Sequence, residues 1–254
     1  MSLHLFFSPP NVQKLRQKSD RKALARAMNY THGFGIRYPA ARALAELADA
    51  SCLNAFEQAI LSGDLQMQQI AAQGLGASGS PQAVPVLLNA LAQDCRPRLQ
   101  AALSRLEDPQ TSAKEQLAAW IGDIEENFTL RLLSAEAFID DPERANNESE
   151  RPEAAFYLLG TLKKEPARIR AHFLELLTAN AKDTSDEVIR QRAQHILSQA
   201  QLEATRLAAA ILRALGQLHA AGAAEVIRAR LTDPDETVRQ QAALTLQKLG
   251  QPLE

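Results

Sequence analysis

Towards the C-terminal end of the chain, hydrophobic side chains recur three and four positions apart. Val238 to Gly250 reads VRQQAALTLQKLG, an amphipathic helix that closes on glycine. Leu207 to Leu218, 31 residues earlier, has the same texture. The N-terminal half holds a second such pair at the same separation, Ile36 to Leu47 and Met67 to Gly79, and a fainter copy begins at Ile189. This spacing places one apolar stripe on each helix. A shorter apolar helix precedes the better copies, at Leu53 to Leu61 and Ala223 to Leu231. Asp233-Pro234-Asp235-Glu236 and Thr184 to Glu187 provide capping residues with an acid in the first turn, and Ser80-Pro81 gives a cap followed by proline. The unit is therefore helix, turn, helix, turn, repeating about every 30 residues. The full pattern predicts helices over 9–18, 20–29, 36–48, 52–62, 66–77, 81–92, 97–106, 112–121, 128–139, 152–164, 167–181, 185–200, 202–218, 222–231 and 235–250. No segment alternates with period two for long enough to make a strand.

The motif hydrophobic-Arg-x-x-Ala-Ala-x-Ala-Leu-Gly-x-Leu-Gly resembles the second helix of HEAT repeats, in the short bacterial and archaeal form named after phycobilisome lyases. Val238 to Gly250 matches it best, with Gln247 in place of a glycine. Residues 36–79 and 207–250 carry the resemblance, Pro10 to Leu15 resembles a lead-in helix, and 80–200 match only loosely. The resemblance implies an all-α, right-handed solenoid of about seven stacked antiparallel helix pairs. A unit of this kind cannot bury its apolar face alone, so neighbours stack over a shared core. The whole chain is expected to form one such array. Its clearest interruption is the acidic, proline-bracketed stretch 140–152. That stretch is a surface loop, either a hinge between 1–139 and 153–254 or an ornament on a continuous solenoid, and the second reading is the one adopted.

Composition sharpens this picture. Hydrophobic residues make up 46% of the 254-residue chain but aromatic ones only 5%, and alanine and leucine favour closely packed helices. The net charge of −2 argues against a protein built to wrap duplex DNA. Two cysteines, Cys52 and Cys95, lie in helix-like apolar contexts and read as reduced thiols. The start, Met1 to Phe7, has neither the basic flank nor the apolar length of a secretion signal. No window approaches the roughly 18 apolar residues of a membrane span. A cytoplasmic location, with no membrane attachment, is expected.

In HEAT arrays the second helix of each pair lines the concave side, so the resemblance implies a partner surface there. By helical spacing, motif positions four, seven and eleven point away from the core. They hold Arg42 and Glu46, then Gln73, then Arg192, His195 and Gln199, then Arg213 and Gln217, and finally Gln241 and Lys248. A polar stripe rich in Gln and Arg suits a protein partner with acidic contacts, although an ordinary solvated face has the same composition. The arginine at motif position two recurs as Arg37, Arg190 and Arg239. The resemblance implies that it ties neighbouring repeats through an acid near the turn, with Asp64 and Asp233 as candidates.

None of the five histidines has another His or a Cys three or four residues away, so no metal-ligand spacing exists. The His-Glu pairs of deoxyhypusine hydroxylases, which are built on HEAT repeats, are absent. Thr31 to Gly35 lacks the strand and the Lys-Ser/Thr ending of a phosphate loop. There is no Gly-x-Ser-x-Gly, and no cysteine with an identifiable base. HEAT-like DNA glycosylases need a basic face with aromatic residues; Trp120 reads as core, and the basic stretch Lys14 to Arg26 spreads around two short helices. The expected function is a non-catalytic scaffold or adaptor for a protein partner, with no cofactor and no metal. The alternatives are an enzyme or chaperone resembling the phycobilin lyases and, further off, a nucleic-acid binder.

Overall fold

A computed structural model describes residues 9–30, 36–61, 64–108, 112, 113, 115, 116 and 186–253. The helices expected at 128–139, 152–164 and 167–181, most of 112–121, Trp120 and the acidic loop 140–152 lie outside the described residues. Among the described residues every regular element is helical. The order is α1 (Val12–Gln17), α2 (Arg21–Met28), α3 (Arg37–Glu46), α4 (Leu53–Ile60), α5 (Leu65–Ala77), α6 (Ala83–Ala92), α7 (Arg96–Leu106), α8 (Asp186–Gln217), α9 (Ala224–Arg228) and α10 (Glu236–Lys248). The fold is thus all-α and solenoid-like. No helix among these residues is long and apolar enough to cross a membrane.

Side-chain caps mark where several of these helices begin. Asn11, Asp20, Asp64 and Asp235 each accept a hydrogen bond from a backbone N–H of the first turn, meeting donors that the helix itself leaves unpaired. The helix expected at 222–231 is α-helical only over Ala224–Arg228, with 3-10 turns on either side, and the helix expected at 9–18 begins at Val12. The largest difference from the sequence pattern lies near residue 201. The separate helices expected at 185–200 and 202–218 are a single helix, α8, of 32 residues. The reason is local: Ala200-Gln201-Leu202-Glu203 contains no glycine, proline or N-cap side chain, and each of its residues is a good helix former.

Helices α3, α5, α8 and α10 make a continuous row, with α7 also packed on α8. α3 packs on α5, α5 on α8, and α8 on α10, while α4 adjoins α6 on the other side. The α5–α8 contact joins parts of the chain separated by 134 residues at Gln69 and Glu203. It is the most extensive helix pairing in the described structure. Its closeness depends on small residues. A Cβ placed on Gly76 would sit 2.8 Å from the Ala214 Cα, and Ala214 and Leu215 are fully buried beside it. Within the N-terminal pair, a Cβ on Gly74 would meet the buried Phe56 ring at 2.3 Å. One apolar core runs from Leu24 through Phe56 and Leu75 to Ile211 and Leu246.

Candidate partner-binding surface

The row of second helices places its polar side chains because the opposite stripe of each helix is committed to the core. On α3, Ala40, Ala41 and Leu44 are fully buried, and Arg42 and Glu46 are exposed. On α5, Ala71, Ala72 and Leu75 are buried and Gln73 is exposed. On α8, Arg213 and Gln217 are exposed beside buried Leu212 and Leu215. On α10, Lys248 is exposed and Gln241 half-buried over Val238 and Ala242.

Contacts join only part of this set. Arg213 Nη2 donates to Gln241 Oε1 at 3.4 Å, linking α8 to α10. The Gln217 side chain lies over Gly76, linking α8 to α5. Lys248 Cδ is 3.7 Å from where a Gly216 Cβ would be. Glu46 is engaged by Arg16 of α1 at 2.7 Å. His195 and Gln199 sit elsewhere. Because α8 is unbroken, His195 lies about 27 Å along the helix axis from Arg213 at 1.5 Å per residue. His195 is exposed, and Gln199 donates to Glu203 at 3.2 Å. The Arg192 side chain lies outside the described set.

The position-two arginines bind backbone carbonyls as well as acids, Arg190 also pairing with Asp186 at 3.1 Å. Arg37 Nε donates to the Met28 carbonyl at the end of α2 at 3.2 Å, and its Nη1 stands 3.8 Å from Asp64. The Tyr38 hydroxyl donates a short hydrogen bond to that same Asp64 carboxylate. Arg190 donates to the carbonyls of Leu106 and Asp108, and Arg239 to those of Asp233 and Pro234. Gln68 holds the equivalent position on α5 and donates to the Ile60 carbonyl at 2.9 Å. The Met28, Ile60 and Leu106 carbonyls lie at the close of α2, α4 and α7, where a helix has no donors of its own and where positive charge is favoured, whereas Asp108, Asp233 and Pro234 lie outside the helices. Asp64 thus faces Arg37 as expected. Asp233 is bound by another arginine.

That arginine is Arg96, the first residue of α7. Its Nη1 and Nη2 donate to both oxygens of Asp233, at 2.8 and 2.7 Å, across 137 residues of sequence. It also donates to Asp94 at 2.6 Å, and Arg230 joins Asp94 at 3.2 Å. Burial alone would lower the Arg96 pKa. The hydrogen bonds to Asp94 and Asp233 outweigh burial and hold the guanidinium above its usual range. For Asp233, burial would raise the pKa, but Arg96, the Asp235 N–H and Arg230 together hold it below the ordinary 3.8. A second buried joint holds Glu203, whose carboxylate accepts from Gln69 at 2.7 Å, Gln199 at 3.2 Å and Arg206 at 2.7 Å.

Sequence inspection missed both joints. A signal for Arg96 was present: Cys95-Arg96 begins with the same hydrophobic–Arg step as the repeat motif and is followed by Leu99, Ala102 and Leu106 on one face. For Glu203 the only hint was a carboxylate entering an alanine-rich apolar run.

These stacked helix pairs, with a polar outer stripe and carbonyl-bound arginines, define an α-solenoid of the repeat class. The model for HEAT repeats matches residues 34–107 and 194–254, just over half of the chain, and the chain belongs to that family. The two matched regions are the two that α5 and α8 bring together. No curated protein matches the chain. Among solved structures, a crystallised engineered protein is similar at 17% identity, covering 95% of this chain and 97% of that one, with a TM-score of 0.15.

Proposed function

We propose that this protein is a non-catalytic adaptor that holds a protein partner along the row formed by α3, α5, α8 and α10. HEAT repeats are generally protein-interaction scaffolds. The observation that carries the reading is the exposed Arg213 bonded to half-buried Gln241, with Gln217 and Lys248 beside them, in a row whose buried side is small and tightly packed. Such a row offers a stiff surface with little ordering cost on binding. Arg42 and Gln73 extend the surface towards α3. Arginine suits a partner with exposed carboxylates, which it can grip with two parallel hydrogen bonds.

The test is a charge-reversed variant, Arg213→Glu with Lys248→Glu, beside the unaltered chain in affinity capture from native cells. Both side chains are exposed, so the fold is expected to survive. A protein retained in stoichiometric amount by the unaltered chain and lost from the variant supports the adaptor role on this row. Retention by both places the partner elsewhere.

A further inference from the structure

A groove of about 630 Å³ lies between α2 and α4, in the row of first helices and away from the surface just described. That volume falls within the range of roughly 300–1,000 Å³ typical of ligand-binding clefts. Its floor is apolar, formed by Leu44 and the buried Cys52. Its walls are cationic and amide-bearing, and no carboxylate lines it.

Three cations reach it from α2. Arg21 is already engaged, donating to the Leu47 carbonyl at 2.7 Å and pairing with Asp49 at 3.0 Å. Lys22 and Arg26 are exposed, and no ion pair or hydrogen bond within the described structure occupies either side chain. Two uncompensated charges over one cleft stand out in a chain whose net charge is −2. The amides have spare capacity too. Gln58 donates to Asn54 Oδ1 at 3.3 Å, which leaves the Asn54 NH₂ and the Gln58 oxygen for an occupant. Asn29 donates to the Ala25 carbonyl at 3.4 Å and keeps its own oxygen available.

We propose that this groove docks an extended acidic segment of a partner protein, with carboxylates on Lys22 and Arg26 and backbone on the amides of Asn54 and Gln58. Charge complementarity selects an acidic occupant. The amides select a peptide over a nucleic acid. A peptide backbone offers a donor and an acceptor at every residue, whereas a nucleic acid's phosphates offer acceptors only and its donors lie on the bases and the ribose hydroxyl. No aromatic side chain lines the groove to stack a base. The proposal is independent of the second-helix row, and either can fail alone.

The experiment measures anisotropy of a fluorescent peptide alternating Glu and Gly as the full chain is added at low salt. The same titration is run with its Gln-Gly counterpart, a single-stranded oligonucleotide of equal length, and a Lys-Gly peptide. The acidic peptide should bind, weaken as salt rises, and outbind both the Gln-Gly peptide and the oligonucleotide. The double variant K22E/R26E should lose at least about tenfold in affinity for it and gain affinity for the Lys-Gly peptide, with its thermal midpoint unchanged. Equal binding of the Glu and Gln peptides, tighter binding of the oligonucleotide, or an undiminished K22E/R26E titration would each overturn the proposal. Binding that a simple dicarboxylate such as succinate displaces completely at equal molarity would also overturn it, since the backbone would then contribute nothing.

Discussion

At the scale of single residues, glycine and buried charge set the tightest constraints. An alanine at Gly76 would gain about 1 kcal/mol of helix propensity, but its Cβ would press on the Ala214 backbone at 2.8 Å, which cannot retreat as a flexible side-chain tip can. Gly76→Ala is therefore expected to destabilise the protein by about 1–3 kcal/mol. Gly222, with nothing within 4 Å of its Cβ position, should accept alanine with no loss; an equal loss at both positions in urea unfolding would remove the close α5–α8 approach. Asp233 supplies a pH signature. Its carboxyl is held below 3.8 in the fold, so the linked stabilisation is complete above the ordinary value and disappears as pH falls through the depressed one. Unfolding midpoints measured from about pH 5 down to about pH 2 should drop less steeply for Asp233→Asn than for the unaltered chain. Parallel slopes would show that Asp233 is not bound by Arg96.

At the scale of elements, the helical period made most helices legible, because burial of one stripe is the same event whether read in sequence or in space. Val238, Ala242 and Leu246 occupy α10 as the motif implies, and all three are fully buried. What the pattern missed has a physical reason. The expected division near residue 201 has no stop signal behind it, since Ala200 to Glu203 holds no glycine, proline or N-cap side chain. Leu202 tests this. At a helix start proline is tolerated, but inside α8 Leu202→Pro removes a hydrogen bond and clashes with the preceding turn, costing about 3 kcal/mol or more. Because Leu202 is 44% exposed, little of that loss can come from packing. A thermal midpoint close to that of the unaltered chain would mean two helices. The outward stripe was legible as composition, since exposed positions on an amphipathic helix follow from the buried ones. Which of its members are neighbours was not, because that depends on α8 being one rod with His195 and Arg213 far apart on it.

At the scale of the whole molecule, the two HEAT-matched regions meet directly. Pairing α5 with α8 gives one row of second helices from α3 to α10, so an adaptor surface can extend over both ends of the sequence. Sequence periodicity could not show this joint, since it concerns neighbours in the chain and the joint links residues 134 and 137 apart. The ion pair of Arg96 with Asp233 is its best reporter, being buried, bidentate and dependent on that meeting. The decisive measurement is a double-mutant cycle by urea unfolding on Arg96→Met, Asp233→Asn and the pair. Contact predicts a coupling energy within about 0.5–3 kcal/mol, since Arg96→Met strips the buried Asp233 of its bidentate partner and Asp233→Asn leaves Arg96 with Asp94 alone. Additivity within about 0.3–0.5 kcal/mol would mean that the two residues do not touch, and that the N- and C-terminal arrays do not form one row.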